Sequence, residues 1–209
     1  MKHFIGVAVV ILAASIVNAQ SEKFTVAMKT QLSLLDSAKT TPDLQAIANT
    51  FERIGDAEKT QWLPYYYAGL ALTSAGWTDK TLDKDANAER IKALCAKAEA
   101  IEKNADIYAL INMAATQQMM VDPQNRWMSY GQEAANALKK GMELDSNNPR
   151  LYYLQGMSVF NTPTAFGGGK DKAKPIFEKA LELYKSEQVK PLYPHWGQEQ
   201  TEKMLEQCK

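Results

Sequence analysis

The segment that most constrains the fold spans residues 148–183, where two stretches with helical periodicity flank a glycine-rich turn. Small and aromatic side chains occupy fixed places on both stretches, which allows two helices to pack closely against each other. These side chains are Tyr152 and Gly156 on the first stretch and Ala173, Phe177 and Ala180 on the second. The segment therefore predicts an antiparallel helical hairpin.

The rest of the chain carries degenerate copies of the same unit. The aromatic position recurs about every 44 residues, as Tyr65, Tyr108 and Tyr152. The second-helix positions recur in constant register, as Ala134/Leu138/Gly141, Ile91/Cys95/Ala98 and Ile47/Phe51/Ile54. A constant register indicates hairpins that each pack on their neighbours. Since no segment alternates with a period of two for long enough to form a strand, the sequence predicts an all-α fold.

This pattern resembles the tetratricopeptide repeat (TPR), and the run from Phe166 to Gly169 resembles loops in exported bacterial TPR-like proteins. The resemblance implies a right-handed α-solenoid of helical hairpins with extended loops inside the hairpins and a C-terminal capping helix. The spacing from the second helix of one unit to the first helix of the next matches the TPR consensus. The loops inside the hairpins are about five to ten residues longer than in the consensus. The expected hairpins span about 22–55, 61–103, 105–145 and 148–186, and the cap spans 191–208.

The first nineteen residues have the pattern of a secretory signal peptide. Lys2 precedes an apolar run from Phe4 to Ile16, and Val17-Asn18-Ala19 forms a small-residue cleavage site. The run is shorter than the roughly 20 residues that span a bilayer, although retention as an uncleaved anchor is the alternative. We therefore predict a signal peptide at 1–19, a mature repeat domain at 20–209 without a membrane span, and export to the periplasm or beyond the cell of a Gram-negative bacterium.

Charge and motifs exclude several functions. Lys and Arg number 24 and Asp and Glu also number 24, so no basic patch predicts nucleic-acid binding. His195 is the one histidine after the signal and has no cysteine or acidic residue beside it, which favours a surface or capping role. No motif of a serine hydrolase, zinc protease or CxxC type occurs. We expect a non-enzymatic protein with no catalytic residue, metal or cofactor.

Two further runs resemble ligand sites without completing them. The run from Gly167 to Lys170 departs from the phosphate-loop spacing, so its glycines are better explained by positive φ or close backbone approach. Asp83, Asp85 and Asn87 match the first ligands of a calcium loop, but Ala88 stands where the turn requires glycine. Capping of the following helix is the favoured interpretation.

The two cysteines of an exported chain raise the question of a disulfide. Cys95 occupies the same repeat column as Phe51 and Phe177, which predicts a buried thiol in the core. Cys208 lies in the last turn of the predicted cap, so a bridge would require the cap to pack two units back along the array. A free, buried Cys95 is favoured over a bridge.

In the TPR family the first helices of the hairpins line a concave groove. Carried over to this chain, these positions give a partly apolar surface suited to an extended or apolar peptide. The candidate groove residues are Tyr66, Leu70, Asp106, Met113, Arg150, Tyr153, Met157 and Phe160. The alternative is that the cap covers some of these side chains.

The favoured function is a protein–protein interaction module or scaffold of the cell envelope, with an unidentified protein or peptide partner in the groove. The alternative is a carrier of a small apolar ligand, similar to the TPR-like component of TRAP-type transport systems. Trp77, Trp127 and Phe166 lie in or beside the long loops and could close a cavity there. A solid stack would favour the module, and an enclosed apolar tunnel would favour the carrier.

Overall fold

The computed structural model describes residues 22–209, and this part of the chain consists of helices and their connections, without strands. The all-α prediction is confirmed, while the predicted signal peptide lies outside the described residues. None of the described helices is long and apolar enough to cross a membrane. The helices are α1 (22–37), α2 (Thr41–Glu58), α3 (Leu63–Thr78), α4 (Lys84–Ile101), α5 (Ala105–Met119), α6 (Pro123–Arg126), α7 (Gln132–Leu144), α8 (Pro149–Asn161), α9 (Lys170–Ser186) and α10 (Gln198–Gln207).

Polar side chains fix the starts of four helices, because each accepts a hydrogen bond from a backbone N–H that the helix leaves free. These N-caps are Thr40, Asp83, Asn104 and Asn148. Asp83 accepts from the backbone N–H groups of Asp85 and Ala86. The capping interpretation of the calcium-like run is therefore confirmed for Asp83, whereas Asp85 pairs with Arg126 and Asn87 donates to the carbonyl oxygen of Leu72.

The helices pack as a bundle of sequential antiparallel neighbours. α2 packs on α3, α3 on α4, α4 on α5, α5 on α7, and α8 on α9. α3 and α5 lie side by side in the same direction, and so do α5 and α8. Glycine allows one close approach within α8 and α9: a Cβ atom on Gly156 would lie 2.5 Å from the ring of Phe177. The repeat positions of Gly156 on α8 and Phe177 on α9 thus face each other inside the hairpin.

The glycine-rich turn between α8 and α9 needs its glycines for the two reasons predicted. Gly167 and Gly169 have φ angles of 84° and 98°, a region that strains residues with a side chain. A Cβ atom on Gly168 would lie 2.2 Å from the carbonyl oxygen of Thr162. The run therefore closes a tight turn onto the end of α8.

The C-terminal segment, residues 187–209, folds back across the bundle. Its irregular part returns to α3, where Tyr67 Oη donates a 2.8 Å hydrogen bond to the carbonyl oxygen of Leu192. Leu192 has a φ of 68°, which reverses the chain direction there. α10 then packs on α9, with Met204 buried against that hairpin. The segment thus joins the third helix of the described chain to the last hairpin.

Both cysteines are free and buried, as favoured for Cys95. Burial raises the pKa of the Cys95 thiol to about 12, because the low-polarity core disfavours the thiolate.

We therefore expect iodoacetamide to leave Cys95 unmodified at pH 8 in the folded protein and to alkylate it in 6 M guanidinium chloride, as measured by peptide mass spectrometry. We also expect an unchanged melting temperature with added reductant, and a loss of several degrees on reduction would contradict the free thiols.

Candidate functional site

The predicted groove residues do not form an open groove. Four of them are buried and four are half-buried, and none is exposed. The buried four are Tyr66, Asp106, Met113 and Arg150, and the half-buried four are Leu70, Tyr153, Met157 and Phe160. The C-terminal segment covers several of them, as the alternative interpretation of the cap anticipated.

Arg150 is the centre of the covered region. Its Nε donates a 2.6 Å hydrogen bond to Asp106 Oδ1, and its Nη2 pairs with Glu187 of the C-terminal segment. Burial alone would lower the pKa of Arg150, but the charge of Asp106 and the hydrogen bond with Glu187 outweigh it and raise that pKa. Nη1 also donates to the carbonyl oxygen of Pro194 at 3.3 Å. The guanidinium is thus fully engaged within the protein.

Aromatic side chains complete the cover. Trp196 Nε1 donates a 2.7 Å hydrogen bond to Tyr66 Oη, and the rings of Trp196 and Tyr153 meet edge to face with centroids 6.3 Å apart. Tyr193 packs edge to face on Trp62 at 5.6 Å. Burial also raises the pKa of the Tyr66 hydroxyl well above its usual value. These contacts favour a structural role for Tyr66 and Tyr153.

Two clefts open on the surface, and neither is an enclosed apolar tunnel. One of about 360 Å³ lies where α5 and α8 begin, between charged residues that include Glu102, Lys103 and Lys190. The other, of about 500 Å³, lies among α4, α5 and α7 beside Tyr108, Gln132 and other polar side chains. Both are open and largely polar, so neither matches the tunnel expected of a TRAP-like carrier.

An exposed apolar surface lies at the edge where α3, α5 and α8 end. More than half of the large hydrophobic side chains exposed in residues 22–209 are at this edge. We call this surface the apolar edge; it comprises Trp77, Met120, Val121, Trp127, Met128 and Phe166. Trp127 is 60% exposed, Met128 72% and Phe166 81%. A concentration of exposed aromatic and methionine side chains at one edge is typical of a binding surface.

Local backbone geometry produces part of this exposure. α6 continues directly into a π-helical turn, Trp127–Gly131, before α7 begins. π-helical turns within helices are rare and frequent at functional sites. The turn directs Trp127 and Met128 to solvent, whereas Tyr130 on the same turn lies half-buried beside Lys92 and Arg126, at 5.4 and 5.6 Å from its ring centre.

A polar layer lies behind the apolar edge. Arg126 Nη1 pairs with Asp85 at 2.7 Å and also donates to the carbonyl oxygen of Gln118. Lys84 Nζ donates a 2.6 Å hydrogen bond to the carbonyl oxygen of Gly76, the residue before Trp77. The edge therefore combines flat apolar side chains with two cations at its inner margin.

Comparison with known proteins gives one informative likeness. No family model matches the chain, and no curated protein matches it either. Among solved structures, the HusA haemophore from Porphyromonas gingivalis matches with a TM-score of 0.76 and 32% sequence identity, over 90% of this chain and 92% of that chain. The chain belongs to the HusA family. Because nearly the whole of both chains aligns, the HusA likeness extends well beyond the single hairpin at 148–183.

The apolar edge of this HusA-family chain was found only in part from the sequence. Trp77, Trp127 and Phe166 were selected because they lie in or beside long loops. Met120, Val121 and Met128 were missed, although a run of large apolar residues around the Asp122-Pro123 break was a usable signal. His195 is exposed beside the covered region where α3 and α8 begin, away from the apolar edge.

Proposed function

We propose that this protein is an exported, non-enzymatic carrier that binds haem at the apolar edge. The observation that carries the proposal is the exposed cluster of tryptophan, phenylalanine and methionine side chains in a chain 32% identical to a haemophore. We further propose that its hairpins stack as a right-handed TPR-like solenoid, which the side-by-side packing of α3, α5 and α8 supports.

A flat, largely apolar macrocycle suits this surface better than a peptide does. Two tryptophan rings and a phenylalanine ring offer faces and edges for stacking on a planar ligand. Covering each large apolar side chain contributes on the order of 1.5–3 kcal/mol when its burial is complete. The methionines have flexible, polarizable side chains that adapt to the remaining shape. The absence of an enclosed tunnel at the two clefts counts against a TRAP-like carrier, but an open edge holds a flat ligand without a tunnel.

The iron ligands that the edge offers are thioethers. Haem iron is held in proteins by His, Met, Cys or Tyr. In residues 22–209, Cys95 and Cys208 are buried, His195 lies away from the edge and Tyr130 is half-buried beside Lys92 and Arg126, whereas Met120 and Met128 are on the edge. We therefore expect contact with the macrocycle to provide most of the affinity, and iron-free porphyrin to bind nearly as well as haem.

The interaction-module hypothesis has less support from the geometry. Several of its groove residues are occupied by contacts with the C-terminal segment, notably Arg150, Tyr66 and Tyr153. A partner would have to displace a buried ion pair and an aromatic cluster to reach them. The apolar edge is already exposed, so binding there requires no such displacement.

The test is a haem titration of residues 20–209, followed by Soret absorbance and by quenching of tryptophan fluorescence. We expect saturable one-to-one binding by the wild type and at least tenfold weaker binding by W77A/W127A. The variant L144A removes an exposed apolar side chain at the end of α7, beside the cleft where α5 and α8 begin, and should bind like the wild type, as should H195A. Equal affinity of W77A/W127A and the wild type would exclude the apolar edge as the haem site.

A further inference from the structure

Lys84 differs from the other cation at the apolar edge because its charge is not neutralised. Arg126 is paired with Asp85, but within residues 22–209 the half-buried ammonium group of Lys84 makes no ion pair. Lys84 Nζ donates a 2.6 Å hydrogen bond to the carbonyl oxygen of Gly76. An ammonium group has three N–H donors, so two remain available.

Lys84 is linked to both chain segments that carry the tryptophans of the edge. Lys84 donates a hydrogen bond to the carbonyl oxygen of Gly76, the residue before Trp77. Its neighbour Asp85 pairs with Arg126, the residue before Trp127. Lys84 is also the first residue of α4, where the helix dipole adds a partial positive charge. Lys84 therefore offers an unpaired ammonium group beside the chain segments that carry the two indole rings.

We propose that Lys84 binds a carboxylate of the ligand held on the apolar edge, so that the site selects planar apolar acids over neutral planar molecules. This inference rests on the proposed function and names the ligand chemistry of the same site. The carboxylate would take the free N–H donors of Lys84 in a charge-assisted hydrogen bond, while the macrocycle covers the tryptophans. Haem carries such carboxylates in its two propionate groups.

The experiment compares iron mesoporphyrin, which has two propionates, with its dimethyl ester, titrated into the full mature protein in the same dilute detergent. We expect the wild type to bind the diacid about tenfold more tightly than the diester, with the preference falling as salt is raised. We expect K84Q to bind the diacid about five- to tenfold more weakly and the diester with unchanged affinity. K84R keeps the positive charge and should retain the preference.

The outcomes separate this inference from the proposed function. If the wild type binds both porphyrins equally, or if K84Q loses the same factor for both, Lys84 does not recognise a carboxylate although the carrier function stands. If the wild type binds neither porphyrin, the proposed function itself fails and the inference with it. Urea unfolding of K84Q and K84R shows whether loss of the bond to Gly76 has altered the fold, and the ester comparison on the wild type needs no variant.

Discussion

Replacing Arg150 with methionine is expected to lower the free energy of unfolding by about 3–5 kcal/mol. Methionine fills a similar length of side chain but leaves the carboxylates of Asp106 and Glu187 without their cation. These carboxylate side chains are only 12% and 19% exposed, so water compensates them poorly. Urea unfolding followed by circular dichroism at 222 nm measures the loss.

Two control variants make the Arg150 result specific. K203M removes a cation from the exposed pair with Glu199 and should change stability by less than about 0.5 kcal/mol. The triple variant R150M/D106N/E187Q removes the charges together and should recover much of the loss, since the stranded carboxylates are gone. An R150M protein as stable as the wild type would show that the ion cluster does not secure the C-terminal segment.

Phe177→Ala is expected to destabilise the protein by about 3–5 kcal/mol, because it leaves a cavity in the last hairpin. Phe177 is fully buried, lies against Gly156, and has the rings of Tyr153 and Phe160 within 6.3 and 6.5 Å. The hairpin cannot close this space without moving α8 towards α9. Thermal and urea unfolding provide the measurement.

Phe166 provides a matched control for Phe177, since the same substitution is made at a side chain that is 81% exposed. F166A should keep the wild-type stability and lose affinity for haem, whereas F177A should lose stability first. A stable F177A, or an F166A that unfolds as readily as F177A, would contradict this assignment of core and binding surface.

The sequence predicts the helices well because the information for them is local. The recurring positions Phe51, Cys95 and Phe177 are all buried, as expected of positions that share one environment in successive hairpins, whereas Ile54 is only partly buried. Caps such as Asp83 and the strained glycines of the turn before α9 are also local, and their chemistry is readable from the sequence. These predictions required no knowledge of long-range packing.

The accessibility of the groove could not be predicted in the same way. The predicted cap begins at residue 191, but α10 begins at Gln198, and nothing in the sequence of residues 187–197 indicates that they return to α3. The TPR resemblance predicts that Asp106 and Arg150 line a groove, but their charges are used in an ion cluster with Glu187. For the apolar edge, the run of large apolar residues around Asp122-Pro123 was a usable signal, but no residue pattern indicates the π-helical turn that exposes Trp127 and Met128.

The return of the C-terminal segment to α3 also affects how the chain acquires its structure. The hydrogen bonds of Tyr67 with Leu192 and of Trp196 with Tyr66 join residues 125 and 130 positions apart. In an open array of hairpins, contacts are short-range and units can fold one after another as the chain is made. Here the early helix α3 acquires these neighbours only when residues 187–197 have been synthesised. These residues therefore determine when α3 is covered, and a nascent chain that lacks them exposes the aromatic face of α3.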